Sequence, residues 1–578
     1  MARDEQRVQH VEDEQLDPIS SANTAELSPS DKEDTQHVDT VNTAELPMTM
    51  AEGVSYGKSG IAGIAGSPYI LGAAFMASLG GFSFGYDQGV ISIINVMPQF
   101  HEQFPRISPE DPQSAFWKGL NTGLLELGCF IGCFFMPWLC DKYSRKWAIT
   151  IMVCFFNAGG IIMTAAHDYG TLAFGRFFGG LGTGTLALGA PLYISEIAPP
   201  NLRGTLLVLQ SISIVSGVVI SFFITYGTRN MPGEISFRLP FGLQLVSSTI
   251  LGVMIHFFPY SPRWLCLRNR SDDALKALSR LRRLPETDDR IQTELQGIEA
   301  EIELQMTMQE RAHPGKTGFK LEVLLWTDLF KKKLWRRTIV AVGVAFFQQF
   351  SGINAFIYYA PTLFQSLGAD YEMSLILSGI LNIIQLIAVL ICFLIIDSLG
   401  RRPLAIWGAV LACCACIVIA GLVGQYSDDW ENNTAAGWVA VAMAFLFMLF
   451  YGVSYSPLGW ALSSEVYSTT TRAKGVAVAT ATVWICNFIV GVITPPMIES
   501  AGFGTYIFYG GWCGLAAVWA YFFVPETKGK TLEEMDAVFK DASAQQEKEM
   551  MKQAARRRST AASGVRQTSH VGDNKEFA

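Results

Sequence analysis

At 578 residues the chain is long enough for three or four soluble domains, yet half of its residues are hydrophobic, only 16% are charged and its mean hydropathy is +0.28. Ordinary soluble chains carry about 25% charged residues, so the apolar excess excludes a string of water-soluble domains and asks for a bilayer as solvent. The formal charge of −8 lies largely in residues 1–60 and between Asp272 and Glu310, and no nucleic-acid partner is implied.

Residues 1–66 are polar, acidic and rich in Ser and Thr, which predicts a disordered cytoplasmic tail and no cleavable signal. Twelve apolar runs follow, each near the ~20 residues that a helix needs to cross ~30 Å of hydrocarbon. They fall at 69–96, 117–140, 147–166, 171–194, 207–227 and 239–259, and at 338–360, 374–396, 404–424, 438–461, 475–497 and 505–524. The expected fold is therefore all-α and polytopic, with six-helix halves at 67–260 and 337–524. A charged linker of amphipathic helices at 261–336 separates them, and a second cytoplasmic tail occupies 525–578.

Lys and Arg collect in the loops after spans 2, 4, 8 and 10, which puts that face and both termini in the cytoplasm. A plasma-membrane setting suits such a chain. Asn432 begins an Asn-Asn-Thr triplet in an outer loop and fits a glycosylation acceptor. The eleven cysteines sit mostly inside apolar runs without metal spacing and read as buried bystanders.

Chemistry-bearing residues appear in chain order. Asp87 lies in span 1, where an ionised carboxylate costs about 2.5–3.5 kcal/mol, and Arg176 of span 4 is its natural partner. Together they predict either a proton-coupling pair or a structural ion pair, and Glu126 of span 2 is a second buried acid. After span 2 come Asp141, Arg145 and Lys146, and after span 4 Glu196 and Arg203. The same signatures return after spans 8 and 10 as Asp397 with Arg401 and Glu465 with Arg472. This repetition predicts duplicated halves that rock about a central site, with these charges as a cytoplasmic gate. Glycines at 175, 179, 180, 182 and 184 of span 4 are expected to let helices approach closely.

Span 7 concentrates Gln348, Gln349, Asn354 and Tyr358, and uncharged polar groups in a span cost free energy unless paired. At about 100° per residue Gln348 and Asn354 would point about 240° apart on one regular helix. Ser351-Gly352 is where the helix would break so that both address one chamber. In span 10, Ser456-Pro457-Leu458-Gly459 predicts a second interruption beside Trp460, a candidate aromatic platform for the C–H face of a sugar. No phosphate loop, metal cluster or nucleophile and base pair is evident, so neither an enzyme nor a cofactor is expected.

The strings Gly85-Tyr-Asp-Gln-Gly-Val90, Gly175-Arg176, Pro191-Leu-Tyr-Ile-Ser-Glu-Ile-Ala-Pro199, Gln348-Gln-Phe-Ser-Gly-Ile-Asn354 and Pro525-Glu-Thr-Lys-Gly529 resemble the sugar porter family of the major facilitator superfamily, particularly its fungal members. The resemblance covers about Ser67 to Glu534 and implies alternating access around a hexose-sized site. It also places Trp460, Trp484 and Asn487 at the substrate; in span 5 Ser211, with Gln210 immediately before it, stands where the family commonly carries a sugar-contacting Gln, and in span 8 Gln385 stands where Asn is typical. Tyr260 stands where the family usually has Glu, and Ser144 where it usually has Gly. The implied function is monosaccharide transport, by proton symport or by facilitation. A nontransporting sugar sensor and a carrier of acidic sugars or polyol acids are the alternatives. The implied partners are a small sugar, a proton and the lipid bilayer.

Overall fold

The computed structural model describes residues 68–199, 203–331, 334–467 and 471–528, together with Met535 and Phe539. The predicted tail at 1–66 and most of 525–578 lie outside the described residues. Every regular element among the described residues is helical.

The first half comprises α1 (Pro68–Ile94), α2 (Ser114–Tyr143), α3 (Arg145–Ala165), α4 (Tyr169–Ile197), α5 (Arg203–Thr228) and α6 (Ile235–Met254). Four linker helices follow: α7 (Pro262–Leu267), α8 (Ser271–Arg282), α9 (Asp289–Ala312) and α10 (Gly318–Asp328). In the second half, span 7 is cut into α11 (Trp335–Phe350), α12 (Ile353–Tyr358) and α13 (Ala360–Ser366), and spans 8 and 9 are α14 (Tyr371–Leu399) and α15 (Arg401–Tyr426). Span 10 is cut into α16 (Thr434–Val453) and α17 (Tyr455–Glu465), and α18 (Arg472–Ala501) and α19 (Phe503–Phe523) close the fold.

Eleven stretches of helix are long and apolar enough to cross a membrane among the described residues. The 27-residue α1 makes the twelfth predicted span. Large apolar side chains such as Leu394, Trp407 and Phe522 stand exposed on the outer helix faces. Water would penalise that surface, and lipid does not.

The duplication read in the sequence is repeated in the packing. In the first half α1 lies on α5, α2 on α4, and α3 on α4 and α6. In the second, α11 lies on α18, α14 on α16, and α15 on α16 and α19, the same order of contacts. The halves meet along two corresponding seams, α2 with α18 and α5 with α14. Close approach is obtained with glycine: a Cβ at Gly85 would collide with the carbonyl of Ile214 on α5. The glycines of α4 press against α2 and α3 in the same way, as expected.

The span 10 interruption lies one turn earlier than predicted. Pro457 sits in the first turn of α17, and the backbone departs from helix at Ser454 (φ −114°, ψ −86°). A proline lacks the N–H that would reach back four residues, so the break forms upstream and the proline itself starts the next helix.

The linker is clamped to the first half by its cations. Arg282 donates to the carbonyls of Ile197 (2.7 Å) and Ala198 (3.2 Å) at the end of α4 while bonded to Glu294 at 2.6 Å. Arg268 donates to the carbonyls of Asp141 and Lys142 at the end of α2. Guanidiniums thus satisfy helix C-termini where carbonyls and the negative dipole end accumulate.

Candidate transport site

Span 7 supplies the first layer. Gly352 takes φ +91°, a conformation that favours glycine, and there the chain leaves α11 and restarts as α12. Across this break the Asn354 amide donates to Gln349 Oε1 at 2.5 Å. Gln348 goes elsewhere: its side-chain amide donates to the carbonyls of Tyr455 (3.1 Å) and Ser456 (3.2 Å), and its backbone carbonyl accepts from the Tyr451 hydroxyl. The break therefore unites Asn354 with Gln349, whereas Gln348 ties span 7 to the interrupted part of span 10. Among the described residues, the Oε1 of Gln348 and that of the buried Gln385 have no hydrogen-bond partner.

Tyr358, at the end of α12, joins the two halves through buried polar atoms. Its hydroxyl donates to Glu126 Oε1 of α2 at 2.5 Å. It accepts from Gln88 Nε2 of α1 (3.1 Å) and from Asn487 Nδ2 of α18 (3.0 Å). A phenol can donate once and accept twice, so this one is saturated. Gln88 was not singled out from sequence, although an amide within an apolar span was a readable signal.

Beside this hub the predicted Asp87–Arg176 pair is present at 3.5 Å with both side chains buried. Arg176 also reaches the Thr122 carbonyl on α2, one turn before Glu126. Among the described residues, Asp87 Oδ1 and Arg176 Nε and Nη1 find no hydrogen-bond partner, a costly condition for buried charge.

The remaining candidates lie on α5, α17 and α18. Trp484 is fully buried and meets Phe84 edge to face with ring centroids 4.9 Å apart, so it packs span 11 into the first half. Trp460 is half-buried on α17, and Ser211 half-buried on α5. Gln210 is buried and directs its amide to the Ala187 carbonyl of α4 at 3.4 Å.

At the basic face the duplicated charges form matching braces. Arg145 binds Glu196 at 2.8 Å and Asp141 at 3.0 Å, and Arg401 binds Glu465 at 3.0 Å. Both braces run within a half. Each acid takes a further hydroxyl that the sequence reading had missed, Ser261 on Glu196 (2.5 Å) and Thr527 on Glu465 (2.6 Å). Arg472 opens α18. The side chains of Arg203 and Asp397 lie outside the described residues. On the opposite face Arg229 and Glu372 form a two-pronged bridge (2.9 and 2.7 Å) between the halves.

Two similarly packed six-helix halves, a span broken where they meet and buried polar atoms beside that break are the architecture of a membrane carrier. The chain belongs to the sugar (and other) transporter family, which it matches over residues 73–539. It is 30% identical over 490 residues to a high-affinity glucose transporter of Kluyveromyces lactis, covering 82% of this chain and 85% of that one. It is 32% identical over 481 residues to a probable quinate permease of Aspergillus flavus, covering 82% and 88%. Among solved structures it is similar to the proton:xylose symporter XylE bound to 6-bromo-6-deoxy-D-glucose, with 25% identity, a TM-score of 0.66 and coverage of 82% of this chain and 99% of that one.

Proposed function

We propose that this chain carries a neutral monosaccharide, a hexose or pentose, through the plasma membrane by alternating access, with a proton as the coupling ion and both termini in the cytoplasm. The observation that carries the reading is the buried group formed by Asp87, Arg176 and Glu126 beside the Tyr358 hub, with the Asn487 amide on that hub and the paired amides of Gln349 and Asn354 on the same broken span. Amides and phenols both give and accept hydrogen bonds, as sugar hydroxyls do, and the indole of Trp460 offers a face to sugar C–H groups. The proton:xylose symporter among the similar structures supports proton coupling, and the glucose transporter supports the solute class. With ~100 mV and one pH unit a proton supplies about 3.7 kcal/mol, enough for roughly 500-fold accumulation. The charges at the basic face would form the cytoplasmic gate.

The similarity to a quinate permease favours a second reading, an acidic polyol as solute. Against it stand two carboxyls and one guanidinium in the buried group, a balance that repels an anion. The test is uptake of radiolabelled D-glucose and D-xylose in cells lacking their own carriers, with quinate and other sugars as competitors. Accumulation above the outside concentration that collapses with a protonophore, and that the Asp87→Asn variant loses, supports sugar and proton symport. Uptake that only equilibrates identifies a facilitator, and quinate uptake without sugar uptake overturns the solute class.

A further inference from the structure

Three charged side chains meet in the buried group, and they do not balance. Asp87 of α1 and Glu126 of α2 are acids, Arg176 of α4 is the only cation among the described residues near them, and Asp87 and Arg176 both act electrostatically on Glu126. The other titratable neighbours of Glu126 are Tyr358, from α12, and Cys129, on its own helix. α18 presents Asn487 and Trp484, which carry no charge. A buried pair of carboxylates facing one guanidinium carries one surplus negative charge, which low dielectric disfavours, and a single proton removes it.

Glu126 is also the acid tied to the broken span of the other half. Its partner Tyr358 sits on the short half-helix beyond the Gly352 break, in the other half of the molecule. The same half-helix packs against α1, and the Arg229–Glu372 bridge joins the halves on that face. The hydroxyl of the seated α12 stabilises the Glu126 carboxylate, and a carboxylate deprived of that donor takes up a proton more readily.

We propose that Glu126 holds the coupling proton as the third member of a cluster with Asp87 and Arg176, and that its bond to Tyr358 ties proton release to the seating of α12. This rests on the symport reading above. No covalent bond changes: the proton enters on Glu126 while α12 is open and leaves toward the opposite side once Tyr358 returns.

The test uses purified full-length chain in liposomes with radiolabelled D-glucose or D-xylose, measuring accumulation driven by an imposed pH gradient and, separately, exchange of labelled for unlabelled sugar across a pH series. In Glu126→Gln the remaining Asp87 and Arg176 balance without a proton. Driven accumulation should fall at least tenfold, while exchange remains measurable and loses its pH dependence. In Tyr358→Phe the carboxylate lacks its donor, so the exchange profile should shift to higher pH. Undiminished accumulation by Glu126→Gln overturns the proposal. Should that variant fail to exchange at all, an unmoved profile in Tyr358→Phe overturns it and a shifted one sustains it. If the unaltered chain moves neither sugar in either mode, the monosaccharide symport reading itself falls, and this inference with it.

Discussion

The two halves end at the basic face in the same skeleton with different caps. In each, an arginine at the start of the third span binds an acid at the end of the fourth, and a hydroxyl from the segment after the sixth completes the acid: Arg145, Glu196 and Ser261 in one half, Arg401, Glu465 and Thr527 in the other. The second half adds Glu526, whose carboxylate accepts the backbone N–H groups of Arg401 (3.0 Å) and Arg402 (3.1 Å) at the start of α15. The corresponding residue in the first half is Tyr260, which cannot do this. There Ser144 serves as the cap, its hydroxyl accepting the Trp147 N–H at 3.4 Å, and Lys146 lies 4.9 Å over the Tyr260 ring while donating to the Phe258 carbonyl.

The two departures from the family pattern thus explain each other. Ser144 has φ 112° and ψ 158°, and its counterpart Gly400 has φ 92° and ψ 164°. A Cβ on Gly400 would stand 2.6 Å from the Glu526 carboxylate. Where the acid is a tyrosine, that space is free and a serine fits, though it must occupy a backbone region that costs non-glycine residues about 1–3 kcal/mol. The caps also differ in pH response. Burial pushes Glu526 up, but the N–H donors of Lys528, Arg401 and Arg402 outweigh it and hold the carboxyl below its usual range. Its contribution is therefore complete above the ordinary glutamate value and fades as pH falls through the lowered one, whereas the Ser144 cap does not titrate.

The largest expected contrast lies in the ion pairs. Arg145 and Glu196 are 7% and 6% exposed, against 13% and 29% for Arg401 and Glu465. Arg145→Ala should cost about 3–5 kcal/mol in thermal unfolding of the detergent-solubilised protein, because it strands a buried carboxylate. Arg401→Ala should cost measurably less, and equal losses would show that burial does not set the difference. Next comes Gly400→Ser, expected to cost about 2–3 kcal/mol from backbone strain and a displaced Glu526 cap. A neutral result would mean that the second half tolerates the geometry of the first. Smaller again, Ser261→Ala should cost about 2 kcal/mol and Thr527→Val about 1 kcal/mol, since Ser261 serves the more buried acid and also caps the Trp264 N–H.

Much of this was readable from residue type and spacing. The apolar runs gave the spans, Ser351-Gly352 located the break in span 7, and a lone acid and a lone arginine in spans 1 and 4 had few other partners to choose. Contacts set by long-range packing were not readable. Tyr358 and Glu126 are 232 residues apart, and nothing local says that α12 will lean on α2. Gln348 and Gln349 are adjacent and chemically identical, so only the direction of the break decides that one meets Asn354 and the other the carbonyls of span 10. Pro457 marked the interruption in span 10 but not its position, because a proline disrupts the turn before it.

The smallest effect is the most discriminating. Ser144→Gly alone removes strain but also a weak cap, so it should gain at most about 1 kcal/mol. Tyr260→Glu alone should destabilise, because it discards the stack on Trp264 (centroids 5.6 Å apart) and the Lys146 contact while the Ser144 Cβ blocks the seat that Glu526 occupies in the other half. Combining the two restores the arrangement of the second half, and the glutamate can then accept the first N–H groups of α3. Thermal unfolding of the four proteins should therefore show a favourable coupling of about 1 kcal/mol between positions 144 and 260. Strict additivity would mean that the serine and the tyrosine entered this chain independently and that the correspondence between the two caps has no energetic content.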